Sequence, residues 1–440
     1  MTSKNKYGLI TCITMIVGVV IGSGIFFKSD DILKATNGNI FLGALAFCIA
    51  AISIIFGSLT IAELAARTDE PGGVISYAED AYNGGIACAF GWFQVFLYYP
   101  TLIAVVCYVV GIYTCILLGL TATLELKVLI GLFTVLTLFI LNISSAKLAG
   151  FFQNAATFIK LIPLLLLGLV GFILGDPTSA VEISSAEFQS TTWLSALIPI
   201  VFAFDGWIVS TAISHEVKNA KRNVPIALVF APLLILTIYL VYFVGISTYL
   251  GPETIIANGD AHVELMATQF LGSWGAKALI IFVIISVAGT ANGLIMGLSR
   301  LPYSLAIRNM FPNAKKVALV SKKYDAPLYS YLIALGITLF WLAMHYITCK
   351  FGLLGNSDVS EIAITLNYVL FILLYIQVLR LGFKREIKSF WKGKFNPILA
   401  ILGSLVILYV GMLNPLFIFY LLFCTIILVA AYVFWKKSIH

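Results

Sequence analysis

Charged residues are scarce in this 440-residue sequence. Only 11% of the residues are charged and four are His, while 61% are hydrophobic. Soluble domains average about 25% charged residues, so this composition excludes a water-soluble globular fold. Apolar runs long enough to cross a hydrocarbon core of about 30 Å recur along the whole chain. The sequence therefore predicts an all-α integral membrane protein with many spans.

The few His and Cys residues exclude further classes of site. The four His are far apart in sequence, and the seven Cys occur singly, without metal-ligand spacing or a disulfide framework. No metal site or cofactor is predicted. Apart from Lys160, Asp205 and residues near the membrane surface, the spans also lack the ionisable groups that acid–base catalysis requires, so an enzyme is not expected. Basic residues scattered over short loops do not form a nucleic-acid surface.

The apolar runs predict twelve spans within a single transmembrane domain, residues 1–440. Their boundaries are 8–35, 40–66, 84–118, 125–144, 150–174, 192–216, 226–250, 275–308, 328–348, 359–381, 396–413 and 415–436. With an even number of spans, both termini lie on the same side of the membrane.

The distribution of basic residues gives the orientation. Of the 27 Lys and Arg, 21 fall on the side that holds the termini, five fall on the opposite side, and Lys160 falls within span five. By the positive-inside rule, both termini are predicted to be cytoplasmic. The net charge of +7 therefore reflects membrane topology.

Two spans contain breaks that an uninterrupted membrane helix would avoid. Span one contains Ile21-Gly22-Ser23-Gly24-Ile25, and span six contains Phe204-Asp205-Gly206. Glycines that allow close helix packing, or a simple kink, are the alternative reading. Breaks at corresponding places in two five-span halves instead favour an inverted-repeat transporter with its site near the membrane midplane. The halves are about 8–174 and 192–381, followed by two C-terminal helices at about 396–436.

Four segments carry a resemblance to a known family. They are IVGVVIGSGIFF (16–27), IAELAARTDEPGGVISYAEDAYN (61–83), FIKLIPLL (158–165) and FAFDGWIVSTAISHEVKNAKRNVPIAL (202–228). The sequence resembles the amino acid–polyamine–organocation (APC) superfamily, and within it the bacterial L-amino acid transporter (LAT) branch of serine/threonine and alanine/serine/cysteine exchangers. The resemblance implies the five-plus-five inverted-repeat APC fold and a substrate site between spans one and six. It also implies sodium-independent exchange of neutral amino acids.

The chemistry of an amino acid zwitterion fits the two breaks. Free N–H groups at the start of the second half of span one would bind the carboxylate. These groups belong to Gly22, Ser23, Gly24 and Ile25. Free carbonyls at the end of the first half of span six, together with that of Val20, would bind the ammonium. The span-six residues are Phe202, Ala203 and Phe204. The size of the substrate side chain would be limited by Phe202, Phe204, Ile25 and Tyr239.

Lys160 lies about ten residues into predicted span five, which places it roughly 15 Å deep. An unpaired ammonium there costs at least about 2.5 kcal/mol. Snorkelling to the cytoplasm is the alternative. The resemblance implies that this lysine replaces the sodium ion of sodium-coupled relatives, tying carbonyls near Gly18 to a hydroxyl on span eight. Ser286 and Thr290 are the candidates for that hydroxyl.

Other polar positions leave alternatives open. Asp205 could accept a substrate ammonium, hold the half-helix of Trp207, or face a watery vestibule. Tyr239 is either a pocket wall or a core residue. Glu63 and Arg67, spaced i,i+4 at the end of span two, are predicted to pair with each other.

The leading functional prediction is a sodium-independent exchanger of small or neutral L-amino acids in the plasma membrane. A proton-coupled carrier or uniporter of amino acids or amines and a non-transporting amino acid sensor remain alternatives. Short termini and no cysteine in a loop between spans three and four lead us to expect a bacterial-type protein without an obligatory heavy subunit. Its predicted partners are a small L-amino acid and the lipid bilayer.

Overall fold

A computed structural model describes residues 6–22, 24–176, 192–354, 358–412, 414 and 416–439, and regular structure within these ranges is almost entirely helical. Within the described ranges, ten helices are long and apolar enough to cross a membrane. They are Ile40–Ala65, Gly84–Leu118, Leu124–Ser144, Ala146–Leu174, Ala220–Leu250, Trp274–Ala306, Leu328–Phe351, Ala363–Phe383, Trp391–Tyr409 and Phe417–Ser438. They correspond to predicted spans two to five and seven to twelve, whose numbers are kept below.

Spans one and six are the predicted spans that the structure divides into short pieces. Span one comprises the helices Leu9–Val20, Gly24–Phe27 and Ser29–Ala35. Span six comprises a 3₁₀ turn at Thr192–Ala196, an α-helix at Leu197–Ala203 and a 3₁₀ helix at Val209–Glu216. The breaks therefore lie where the glycines predict them.

Several helices extend beyond the predicted boundaries. Span five begins at Ala146, because the Ser145 side chain accepts a hydrogen bond from the Leu148 amide at 3.3 Å and caps the helix. Span seven begins at Ala220 and includes Pro225 and Pro232. Both prolines lie beyond the first turn, so each removes one backbone hydrogen bond from the helix.

Short helices connect spans at two equivalent positions. Val74–Ala81 lies between spans two and three, and Pro252–Asn258 lies between spans seven and eight. The first follows the turn Pro71-Gly72-Gly73, in which both glycines have positive φ angles of 112° and 52°. A side chain at either glycine would be strained, so this turn depends on glycine.

The helix Leu9–Val20 packs against spans five, seven and eight. Spans five and seven themselves pack closely, since a Cβ atom at Gly245 would lie 2.0 Å from the carbonyl oxygen of Gly168. Small residues at such crossings let membrane helices approach through their backbones. This packing surrounds the first half of span one and fixes the surroundings of its free carbonyl end.

Candidate functional site

The two breaks face each other in the structure. Helix Leu9–Val20 ends before Gly22, and the chain becomes helical again at Gly24. A Cβ atom at Gly24 would lie 3.6 Å from the Cβ of Ala203, the last residue of the helix in span six. The start of one half-helix therefore lies against the end of the other. Ser23 and the side chain of Phe202, two predicted site residues, lie outside the described part of the structure.

Gly206 allows the break in span six to pack closely against span one. Its φ angle is 93°, and a Cβ atom there would lie 2.5 Å from Cγ1 of Val19. Both the backbone conformation and the space exclude a larger residue. The turn at 204–208 can therefore lie directly on the first half of span one.

Lys160 lies at the carbonyl end of the first half-helix and is completely buried. Its Nζ donates to the carbonyl oxygens of Gly18 at 2.7 Å and Ile21 at 2.6 Å, and to Oγ1 of Thr290 at 3.3 Å. An ammonium has three donors, so these three acceptors satisfy it. Among the described residues, no carboxylate lies within salt-bridge distance of it. The positive charge is therefore stabilised by helix-end dipoles rather than by an acid.

The Gly18 carbonyl is available because the helix ends early. The Gly22 amide, which would continue the helix, bonds to Val20 O at 2.8 Å instead. The Thr290 hydroxyl also donates to Gly18 O at 2.9 Å, so the hydroxyl joins the lysine and the helix end. Of the two candidate hydroxyls, Thr290 makes the contact. Ser286 is buried, and its Oγ has no hydrogen-bond partner among the described residues.

Lys160 is deeper in its helix than the sequence predicts. Because the helix begins at Ala146, fourteen residues precede Lys160, which is about 21 Å along the axis. Full burial and three contacts inside the protein are not compatible with snorkelling to the membrane surface. The structure also adds Ile21 O, an acceptor that the sequence reading missed.

Tyr239 bridges the two carbonyl ends. Its hydroxyl lies 2.7 Å from Ala203 O and 3.0 Å from Val20 O, and its ring is fully buried. The ring packs edge-on against Phe204, with centroids 4.9 Å apart, and against Phe47 at 5.9 Å. One phenolic proton can serve only one acceptor at a time. The two carbonyls predicted to bind an ammonium thus share one donor from span seven.

The remaining apolar residues predicted for the site are also buried. Ile25 is 1% exposed and Phe204 is fully buried. Ala203 is 5% exposed, and its small side chain lets the start of the second half-helix of span one approach at Gly24. The two breaks therefore bring backbone polar groups and buried apolar side chains together in the interior of the molecule.

Asp205 is held by a tyrosine that the sequence reading did not identify. Its Oδ2 accepts a hydrogen bond from the Tyr98 hydroxyl at 2.8 Å, and the residue is 7% exposed. Its Oδ1 has no hydrogen-bond partner among the described residues. Tyr98 ends a π-helical segment, Gln94–Tyr98, within span three. Such segments occur frequently at functional sites, but nothing in the sequence marks this one.

A second buried cation lies at the other end of helix Leu9–Val20. Arg300 is 2% exposed and donates to Glu216 Oε2 at 2.9 Å, the Tyr7 hydroxyl at 3.0 Å and Met296 O at 2.7 Å. Backbone bonds from Lys6 and Tyr7 to Glu216 O join the chain before span one to the end of span six. This cluster, also missed, joins the chain before span one to the ends of spans six and eight.

The predicted pair between Glu63 and Arg67 is wrong. Glu63 pairs with Lys392 at 2.9 Å, and Arg67 pairs with Glu386 at 3.4 Å. Glu386 lies in the connection between spans ten and eleven, and Lys392 lies at the start of span eleven. The i,i+4 spacing on one helix permits a pair, but tertiary contacts with these segments provide other partners for both residues.

Comparison of the sequence with known proteins places this chain in a family. The model of the family described as "Amino acid permease" matches residues 7–437. The serine/threonine exchanger SteT of Bacillus subtilis is 29% identical over 415 residues, which cover 92% of this chain and 90% of that protein.

Mammalian transporters are similar over shorter stretches. The b(0,+)-type amino acid transporter 1 of Mus musculus is 26% identical over 310 residues, covering 68% of this chain and 62% of that protein. The cystine/glutamate transporter of Homo sapiens is 24% identical over 330 residues, covering 74% and 65% respectively.

Proposed function

The chain belongs to the amino acid permease family, and we propose that it is a sodium-independent exchanger of small or neutral L-amino acids. It would act in the plasma membrane by alternating access, with twelve spans, both termini in the cytoplasm and no obligatory heavy subunit. The names of its relatives, among them a serine/threonine exchanger, support amino acid exchange. The breaks in spans one and six and the two equivalent connecting helices support a five-plus-five inverted repeat.

The proposed substrate site lies between the two breaks. The substrate carboxylate would bind the free N–H groups around Gly22, Ser23, Gly24 and Ile25. The ammonium would bind the carbonyls of Val20 and Ala203, which now share the Tyr239 hydroxyl. An ammonium has three donors and a phenol has one, so the substrate can satisfy both carbonyls at once. The site reads the α-amino and α-carboxyl groups, and Phe202, Phe204 and Ile25 would limit side-chain size.

The position of the Lys160 ammonium is the observation that supports sodium-independent exchange. It lies on Gly18 O, Ile21 O and Thr290 Oγ1, the kinds of oxygen that coordinate hard cations. A fixed protein charge in this place would do the structural work of a bound ion and leave no role for sodium. We assign Lys160, Gly18 and Thr290 to a coupling site, where the lysine replaces a bound ion. Ser286, the other candidate hydroxyl, lies nearby on span eight.

Radiolabelled uptake into proteoliposomes tests the proposal. Serine, alanine, leucine and arginine are each offered outside, with and without the same unlabelled amino acid inside. We expect uptake of a neutral amino acid only when the inside is loaded. Uptake into empty vesicles would indicate a uniporter or an ion-coupled carrier, and binding without flux would indicate a sensor; either result would contradict the proposal.

A cationic substrate is the second candidate, because Asp205 leaves one buried carboxylate oxygen without a partner among the described residues. If this oxygen receives a substrate side chain, arginine would be exchanged and Asp205→Asn would abolish arginine exchange while sparing that of serine. If Asp205 only holds Tyr98, the variant would affect both substrates equally.

A further inference from the structure

The end of span ten, the connection after it and the start of span eleven expose aromatic and basic side chains together. Residues 383–394 contain five Lys or Arg and one Glu. Phe383, Phe390 and Trp391 are 64%, 61% and 60% exposed. Large aromatic side chains at this exposure are unfavourable in water but suit the headgroup level of a membrane. We call residues 383–394 the basic aromatic loop.

The base of the basic aromatic loop is closed by backbone packing. A Cβ atom at Gly382 would lie 2.0 Å from the carbonyl oxygen of Gly393, so the two ends of the loop touch through glycine. Ile387 is buried beneath it, and the amides of Glu386 and Ile387 bond to Leu381 O. The loop therefore presents its side chains from a defined backbone.

Its basic side chains divide into two groups. Lys392 pairs with Glu63 of span two, and Lys394 lies over the Phe383 ring at 4.7 Å. In contrast, Lys384, Arg385 and Lys388 are exposed and have no ion-pair partner among the residues that the structure describes. Three cations thus remain available to a ligand from outside the protein, and all three lie between Phe383 and Phe390.

The location of the loop identifies the ligand. It comprises the last residue of the membrane-length helix that ends at Phe383, the connection, and the first residues of the helix that begins at Trp391. It therefore lies at the membrane surface. The sequence places it on the side rich in Lys and Arg, where the anionic lipids of the cytoplasmic leaflet attract juxtamembrane basic clusters.

Another basic loop on the same side differs. Residues 315–323 carry Lys315, Lys316, Lys322 and Lys323, but the adjacent large apolar groups are limited to Leu319 and Tyr324, at 57% and 37% exposure. It offers charge with less apolar surface to enter the membrane, and so it serves as a matched control.

We propose that the basic aromatic loop is a binding site for an anionic phospholipid. Lys384, Arg385 and Lys388 contact the phosphate-bearing headgroup, while Phe390 and Trp391 lie beside it at the headgroup level. Through Lys392–Glu63 and Arg67–Glu386, the bound lipid stabilises the contact between this loop and span two. The site is independent of the proposed substrate and exchange mode.

The test measures thermal unfolding of the detergent-purified protein with added phosphatidylglycerol, phosphatidylcholine or inorganic phosphate. The loop variant is Lys384→Gln/Arg385→Gln/Lys388→Gln, and the charge-matched control is Lys315→Gln/Lys316→Gln/Lys322→Gln. A ligand that binds only the folded state raises the melting temperature. We expect phosphatidylglycerol to raise the melting temperatures of wild type and control equally. The loop variant should lose most of this increase in melting temperature. Phosphatidylcholine and free phosphate should have little effect.

Three results would overturn the proposal. They are an equal phosphatidylglycerol shift in the loop variant and wild type, an equal loss in the control variant, and a shift reproduced by inorganic phosphate. Native mass spectrometry of the same samples provides a second measurement that does not depend on unfolding. Phosphatidylglycerol should be retained on wild type and control and reduced on the loop variant, and equal retention on all three would also refute the site.

Discussion

Lys160 and Arg300 are both buried cations beside the helix Leu9–Val20, but different groups balance their charges. Lys160 binds two backbone carbonyls and a hydroxyl, without an acid nearby in the described structure. Arg300 binds the carboxylate of Glu216, which is as buried as the arginine itself. One cation is held by partial charges at a helix end, and the other is neutralised by a full opposite charge.

This difference suggests different roles. Contacts to a helix end change whenever the helix moves, so Lys160 is sensitive to the position of the first half of span one. A buried ion pair is strongly destabilising to break, about 3–5 kcal/mol when one partner is removed. We therefore expect Lys160, which joins spans one and eight, to act mainly in transport. We expect the Arg300–Glu216 pair, which joins span eight to the end of span six, to act mainly in stability.

The largest effect should come from removing the Lys160 charge. Lys160→Met keeps an apolar stem of similar length but removes the lysine donor from Ile21 O and leaves Gly18 O with the Thr290 hydroxyl alone. We expect near-complete loss of exchange with a folded protein, measured by serine counterflow and by size-exclusion chromatography. Lys147→Met, on the exposed start of the same helix, should exchange normally. A Lys160→Met variant that exchanges at the parental rate would refute the role.

The second-largest effect should come from removing one partner of the buried Arg300–Glu216 ion pair. Arg300→Met leaves the Glu216 carboxylate buried and uncompensated, at a cost of about 3–5 kcal/mol, and should lower the melting temperature markedly. Arg300→Met/Glu216→Leu removes both charges and should recover much of that loss. If the double variant is no more stable than the single one, ion pairing is not what holds this cluster.

A smaller effect is expected at Tyr239, a neutral donor beside the Lys160 site. Tyr239→Phe removes a hydrogen bond worth about 0.5–1.5 kcal/mol, which corresponds to a change of roughly two- to tenfold in apparent affinity or exchange rate. Tyr242→Phe, also fully buried on span seven, is the control. Unchanged affinity and rate for all substrates in Tyr239→Phe would rule out a function for the hydroxyl.

The smallest effect belongs to the outer edge of the Arg300 cluster. Lys6 Nζ lies 3.1 Å from Asp325 Oδ2, but the Asp325 side chain is 45% exposed. Exposed pairs contribute about 0–1 kcal/mol, so Asp325→Asn should change the melting temperature little. A loss as large as that of Arg300→Met would mean that the two pairs act as one unit and that burial does not separate them.

Some parts of this site can be predicted from the sequence, because their residue types are unusual inside an apolar membrane span. Lys160 is an ionisable residue inside an apolar helix, and Gly206 interrupts another. Such residues are unfavourable in a membrane unless the structure accommodates them, so they point to the site from sequence alone. The family resemblance then relates Lys160 to carbonyls near Gly18.

Other parts could not be predicted, for physical reasons. Tyr98 and Asp205 are 107 residues apart, and the π-helical segment that places Tyr98 has no sequence signature. Arg300 and Glu216 lie near span ends, where charged residues normally face water, so their burial depends on tertiary packing. The prediction for Glu63 and Arg67 was wrong because helical spacing ignores the loop that packs on them.

The most direct test of the account is the sodium dependence of exchange in wild type and Lys160→Met. Initial rates of serine counterflow are measured in sodium chloride and in choline chloride at equal ionic strength. If the Lys160 ammonium takes the place of a coupling ion, wild type will exchange at the same rate in both salts and Lys160→Met will be inactive in choline. A wild-type protein that requires sodium, or a Lys160→Met variant fully active without it, would contradict the account.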